Sequence, residues 1–224
     1  MAPGAAGVPG QALPDPATRE PRLGVGHAAE VDQLPGAGAD PDHHRGDGRE
    51  ERGDGWEIAE GWQPMFYLPE RAGEVWGDSL AAGRATRDPA LGDLDVVAGA
   101  PLAVTEDEHA AAGLLDAIRP VLALYVGGMG ARGRNFYHDL ACRYGFGAQA
   151  EVIQDRYLAG DHDAAAAAVP DELVRRSSLI GPAGYVRERL EVLRASGVTT
   201  LSVTPMAGSA AERVRLIEWI REHT

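Results

Sequence analysis

The stretch GPAGYVRERLEVLRASGVTTLSVTPMAGSAAERVRLIEWI (Gly181–Ile220) decides the fold class. Pro182 stands at a first helical turn, where a missing backbone amide costs nothing. Val186, Leu190 and Leu193 then fall on one face, and Gly197 is placed to close the helix in the left-handed conformation. Val198–Val203 is rich in β-branched residues and reads as a strand. Ser209 followed three residues later by Glu212 makes a capping box, and Val214, Ile217 and Ile220 line one side of a final helix. Helix, strand and covering helix form the repeating unit of a parallel α/β barrel or a doubly wound sheet.

Moving outward from that unit, Asp171–Arg176 and Asp163–Val169 read as short helices separated by Pro170. Ala148–Leu158 and Asn135–Tyr144 read as two helices divided by Gly145 and Gly147. Val121–Val126 is apolar and runs into the cluster Gly127, Gly128, Gly130 and Gly133. Upstream, Glu108–Ile118 is helical, with Glu106, Asp107 and Glu108 suited to its positive N-terminal end. Leu94–Val104 reads as a strand in which Gly99 and Pro101 mark an interruption or bulge. Glu74–Arg87 has helical spacing and stops before Asp88-Pro89, and the aromatic run Trp62–Leu68 reads as a buried strand ended by Pro69.

Residues 1–55 have a different character. They contain no Phe, Tyr or Trp, and Gly and Pro recur every few positions without a lasting apolar period. Such a segment does not bury enough apolar surface to offset chain entropy, so disorder is expected for 1–55 and a folded unit for 56–224. Gly24–Ala29 imitates a dinucleotide fingerprint but follows no strand. Asp42-His43-His44 and Arg45-Gly46-Asp47 lack a scaffold to fix their geometry and are read as accidents of composition.

The formal net charge of −13 argues against nucleic acid or an anionic membrane as partner. No run of eighteen apolar residues and no secretory leader pattern is present, which makes the cytoplasm the expected compartment. The single cysteine, Cys142, builds neither a disulfide framework nor a cysteine-based zinc site, and it is expected to be buried. All 21 basic residues are arginine, a bias that fits a genome rich in G and C.

Three segments carry a resemblance: EIAEGWQPMFYLPER (Glu57–Arg71), LALYVGGMGARGRNFYHDLACRYGFG (Leu122–Gly147) and SLIGPAGYVRERLEVLRASGVTTLSVTP (Ser178–Pro205). They resemble the luciferase-like, coenzyme F-420-dependent oxidoreductases of actinobacterial type. The resemblance implies an α/β fold, a (β/α)8 TIM-type barrel of which Trp56–Thr224 would form only the last strands and helices. It also implies hydride transfer between a deazaflavin, coenzyme F-420, and a small organic substrate, with FMN and a monooxygenase reaction as the alternative. Family members often form homodimers. In the family a phosphate-facing loop precedes the first of these segments; here that place holds HHRGDGREERGDGW (His43–Trp56). A shift of reading frame accounts for the mismatch, making 1–55 an out-of-frame stretch and the chain a fragment of its parent, without catalysis of its own on that reading.

Candidate cofactor-binding residues are Trp62, Gln63 and Pro64, at a strand expected to end near the barrel mouth, and Gly127, Gly128 and Arg132. Gln63 is the polar residue of an apolar run, so it faces either the cofactor or a neighbouring amide in the barrel interior. Thr204 and Pro205, ending the last strand, share that address. Gly127, Gly128, Met129 and Gly130 with Arg132 and Arg134 suit an anionic group, because glycine permits close backbone approach and arginine pairs bidentately. The competing reading is a tight helix connection with a solvated basic edge. His109, His138, Tyr125, Tyr137 and Tyr144 read as structural. No catalytic residue and no metal site is identified, a silence that fits chemistry carried by a cofactor.

Overall fold

A computed structural model describes residues 60–224. The expectations for 1–55, including the glycine fingerprint and the histidine pair, lie outside the described residues.

The chain opens with β1 (Gly61–Trp62), a 3-10 turn (Pro69–Arg71), α1 (Ala72–Thr86), a second 3-10 turn (Pro89–Leu91) and β2 (Asp95–Val104). It continues through α2 (Glu108–Asp116), α3 (Arg119–Ala123), a π-helical turn (Leu124–Gly128), α4 (Phe136–Ala141), a second π turn (Cys142–Phe146) and α5 (Gly147–Leu158). The last part holds α6 (His162–Ala167), α7 (Asp171–Arg176), β3 (Leu179–Gly181), α8 (Ala183–Ala195), β4 (Thr200–Pro205) and α9 (Ala210–Glu222). Every strand pairing is parallel and β2 is central, the arrangement expected of an α/β chain built from barrel units.

The register explains how β2 holds its partners. Thr199 N and Met206 N donate to Val96 O and Leu102 O, so even-numbered residues of β2 turn their backbone groups toward β4. Asp95 N donates to Glu60 O and Thr105 N to Gly181 O, so odd-numbered residues turn toward the opposite edge, shared by β1 below and β3 above. Pro101 is odd-numbered and falls between the two, where no strand asks for its missing amide. The expected interruption at Gly99 and Pro101 is therefore absent: β2 runs unbroken with Gly99 beside Ser202 and Pro101 beside Thr204.

The strand expected over Trp62–Leu68 is also corrected, because only Gly61–Trp62 pairs. Pro64 has no donor to offer a ladder, and Phe66 turns the chain away with φ 54, the only positive value outside glycine among the described residues. Strand β3 was not expected: three residues are too few to show a period. The capping box at Ser209 and Glu212 is present, Gly197 closes α8 with φ 93, and Asp107 caps α2 by accepting from the amides of His109 and Ala110.

Helices α8 and α9 cover one face of the sheet, burying Val96, Ala98 and Leu102 against Val186, Leu190, Leu193 and Ile220. A helical tier of α3, the first π turn, α5 and α6 adds a second packed layer around Leu122, Ala123, Ala150 and Ala165, all without exposed surface. The helical run Glu108–Gly128 is long and apolar enough to cross a membrane by length and composition. It breaks at Ala117–Ile118, and its apolar residues Leu115, Ile118, Leu122 and Val126 belong to the core.

Candidate functional site

Among the described residues, the other face of the sheet is largely uncovered, Ala103 excepted. Pairing places Thr200 beside Val97, Ser202 beside Gly99 and Thr204 beside Pro101, all on the side opposite the buried Val96–Ala98–Leu102 row. Gly99, Thr200, Ser202 and Thr204 are exposed. From the β1 side the Gln63 side chain reaches over the same face, its Nε2 lying 3.7 Å from the position a Cβ of Gly99 would take. Thr200 donates to Asp95 Oδ1 at 2.8 Å. Among the described residues, no hydrogen-bond partner engages the side chains of Gln63, Ser202 or Thr204. Pro205 stands beside Leu102 and so belongs to the covered face.

Trp62 and Pro64 sit apart from Gln63. Trp62 pairs in register with Val96, points into the covered layer and meets Trp76 and Tyr67 edge-on at 5.1 and 6.3 Å. Pro64 is buried. The segment that carries Gln63 is tied down at two points. Tyr67 Oη donates to the carbonyl and hydroxyl of Ser196, at 3.2 and 3.1 Å. Glu70 pairs with Arg189, whose Nη2 also donates to Arg176 O at 2.9 Å. Burial alone would raise the Glu70 pKa, but the hydrogen bond and charge of Arg189 outweigh it and hold the carboxyl below its usual range. A cleft of about 460 Å³ lies beside this pair, lined by acidic and basic side chains in equal mixture.

The glycine cluster is placed elsewhere, in the helical tier. A Cβ on Gly127 would lie 2.5 Å from Tyr157 Cβ, and one on Gly128 2.3 Å from Tyr157 Cε1. A Cβ on Gly130 would meet Arg134 O at 2.4 Å. These glycines are accounted for by packing and a tight turn, and their small faces are already filled. Arg132 pairs with Asp155 at the surface. The buried Asn135 fixes the turn, donating to the carbonyls of Tyr125 and Val126 at 2.9 Å each and accepting from the amides of Tyr137 and His138. The sequence-based candidates thus fall into two groups: Gln63 and Thr204 share the open face, whereas Gly127, Gly128 and Arg132 do not join them.

Cys142 is exposed, contrary to expectation, with Sγ 3.8 Å from His138 Nδ1. Partial burial and the nearby carboxylates of Asp139 and Glu151 push its thiol pKa up, so it is not poised as a nucleophile. No cluster of three metal-ligating side chains occurs among the described residues. Gly99 and Ser202, which share the uncovered face with Gln63 and Thr204, are not among the sequence-based candidates. The signal was available in TLSVTP (Thr200–Pro205), where polar and apolar residues alternate with period two.

Comparison with known proteins adds family information. The profile of the luciferase-like monooxygenases matches residues 19–200. A protein of Mycobacterium tuberculosis, whose assigned name is coenzyme F-420-dependent oxidoreductase, is 38% identical over 164 residues, covering 71% of this chain and 44% of that protein. The coenzyme F-420-dependent tetrahydromethanopterin reductase of Methanopyrus kandleri superposes with a TM-score of 0.57 at 20% identity, over 80% of this chain and 50% of the reductase, and supports the fold alone. The chain spans about half the length of these relatives.

Proposed function

We propose, for a chain that belongs to the luciferase-like monooxygenase family, a part in hydride transfer between a deazaflavin coenzyme and a small organic substrate. The observation that carries this reading is the open sheet face, where Gln63, Ser202 and Thr204 present unengaged polar groups around the bare backbone of Gly99. Its support from relatives is the name of the mycobacterial protein.

The residues fit such a coenzyme in kind. A flat heteroaromatic ring needs an uncluttered backbone to lie against and neutral donors and acceptors at its polar edge. Gly99 leaves the first, and the Gln63 amide with the Ser202 and Thr204 hydroxyls supplies the second. When bound, a deazaflavin supplies the ring carbon that gives or takes the hydride. The work left to this chain is positioning: β2 and β4 form a stiff floor, and the ties of Tyr67 and Glu70 hold Gln63 at its edge.

Titration of the purified chain with coenzyme F-420 and, separately, FMN tests the proposal through coenzyme fluorescence. The expected result is micromolar binding of F-420 and none of FMN. The reverse preference would turn the reading toward the flavin monooxygenase implied by the family description, and binding of neither would overturn it. We further hold residues 1–55 to be out of frame with the parent gene, a reading against which the family match from residue 19 stands, and the homodimer of the family to be the parent's assembly. An uninterrupted shifted frame running upstream through the codons for Gly48–Trp56 is the expected nucleotide sequence; stop codons throughout that frame would sink the idea.

A further inference from the structure

Gln63 stands in a segment whose path depends on one unusual residue. Trp62 is fixed by its pairing with Val96, and the buried Pro64 restricts the residue before it to extended backbone. The chain then turns at Met65 and Phe66 and returns to Tyr67, which is tied to Ser196. Phe66 makes that turn with φ 54, a left-handed conformation that glycine or asparagine adopts readily and a bulky side chain does not. A glycine would make the same turn without strain. The phenylalanine therefore needs a reason, and none lies in the backbone.

The reason lies in the ring. Phe66 meets Tyr125 edge-on at 5.1 Å between ring centres, with planes at 88°, and Tyr137 at 6.2 Å and 76°. The two tyrosines meet each other at 4.8 Å and 87°. Rings so arranged set positive edges against negative faces, an attraction beyond the area they bury. Both tyrosines come from the helical tier, Tyr125 from the first π turn and Tyr137 from α4. Asn135, 1% exposed, brackets the pair by donating to the carbonyl of Tyr125 and accepting from the amide of Tyr137. A strained turn beside β1 is thus joined through three rings to a buried polar bracket in the tier. Such strain persists only where the surroundings over-determine it, and it collects at sites that work by position.

We infer that Phe66 is a latch. Its ring, seated against Tyr125 and Tyr137, holds the left-handed turn and with it the place from which Gln63 reaches the sheet face. Tyr125, Tyr137 and Asn135 are thereby positioning residues of the candidate site, acting through Phe66. The latch stands on backbone and ring geometry; its bearing on coenzyme affinity rests on the reading proposed above.

Two ligand-free measurements on the full chain test it: hydrogen exchange across residues 63–68 and the melting temperature. Tyr125→Leu removes an edge-on contact and is expected to speed exchange there about tenfold, whereas Tyr125→Phe keeps the ring and the original rate. In a Phe66→Gly background the turn carries no strain, so adding Tyr125→Leu should alter exchange less than about twofold. Equal acceleration in both backgrounds makes the rings ordinary packing and overturns the latch. The strain has its own signature: Phe66→Gly should melt about 2–4 °C above Phe66→Ala, the reverse of the usual order. If alanine melts as high as glycine, the turn is unstrained and the inference falls; this comparison decides alone where Tyr125→Leu does not fold. With coenzyme F-420 as probe, Tyr125→Leu should weaken Kd about fivefold by lowering the fraction of chains with Gln63 in place, and Tyr125→Phe should not. An unsubstituted chain that binds no F-420 removes the coenzyme reading and leaves the latch to exchange and melting. An unsubstituted chain that binds, with Tyr125→Leu binding equally well despite faster exchange, overturns the positioning role.

Discussion

Two groups of glycines occupy this chain, and they are small for opposite reasons. Gly127 and Gly128 are small because Tyr157 lies on them, closer than any Cβ allows, so their missing side chains have been replaced by protein. Gly99 is small with only Gln63 Nε2 near it among the described residues. Beside the first pair the turn is fixed by engaged polar groups: Asn135 makes four hydrogen bonds and Arg132 is paired. Around Gly99 the polar side chains of Gln63 and Ser202 have no partner among the described residues. A glycine-rich string thus says little about binding until one asks what a Cβ would meet. The string that looks most like an anion cradle packs against Tyr157, and the isolated glycine in a strand is the uncovered one among the described residues.

The largest expected effect comes from loosening the segment that brings Gln63 to the face. Glu70→Gln leaves the guanidinium of Arg189, 8% exposed, without its counter-charge. Orphaning a fully buried charge costs about 3–5 kcal/mol, and the 28% exposure of Glu70 brings the expectation down to about 2–3 kcal/mol. Urea denaturation at neutral pH measures it, and a loss under about 1 kcal/mol would show that the segment is held without the pair. The same tie sets a pH dependence. The folded-state pKa of Glu70 lies below its ordinary value of 4.5, so its contribution is complete above that pH and is lost as pH falls further, through the lowered value. Glu70→Gln should flatten the acid limb of stability against pH below about 4.5.

Next come the two glycine substitutions, whose signs should differ. Gly127→Ala gains up to about 1 kcal/mol of helix propensity but forces Tyr157 Cβ and Ile153 O aside, an overpacking cost of about 1–3 kcal/mol. Tyr157 is met at the root of its side chain, not at a movable tip, so the cost prevails and a net loss of about 1–2 kcal/mol is expected. Gly99→Ala should instead stabilise by about 0.5 kcal/mol, because it restricts the unfolded chain and disturbs nothing. Equal signs in thermal or chemical unfolding would erase the distinction between the two sites.

Much of this arrangement was legible in the chain. The helix–strand–helix unit at Gly181–Ile220 announced itself because caps, a closing glycine and apolar spacing all agreed. The short pieces were harder. Three residues of β3 and two of β1 carry no period, and whether they pair depends on where β2 offers free backbone groups, a property of distant chain. Gly99 and Pro101 were misread for the same reason: each is a strand breaker in isolation, yet both fall where the odd-numbered edge of β2 lies between two partners. Gln63 was visible as a polar residue in an apolar run, but its neighbour Ser202 needed the register of β4 against β2 before it stood out. The pairing of Gly127 and Gly128 with Tyr157 spans about thirty residues of sequence and leaves no local trace.

The smallest effect is the most pointed. Arg132 is the cation beside the glycine turn, and its guanidinium pairs with Asp155 in open solvent, with side chains 56% and 60% exposed. A pair so exposed contributes about 0–1 kcal/mol and is screened by salt, so Arg132→Gln should cost under about 0.5 kcal/mol at physiological ionic strength. Its effect on coenzyme F-420 affinity should be nil, because the turn's bare faces are occupied by Tyr157 and the arginine already has a carboxylate. A Kd measured for Arg132→Gln beside that for Ser202→Ala makes the comparison direct. Should Arg132→Gln weaken binding tenfold with its melting curve intact, the anionic part of the coenzyme draws that arginine away from Asp155, and the helical tier takes part in binding. Should only Ser202→Ala respond, the open sheet face holds the coenzyme, and the glycine turn serves the fold.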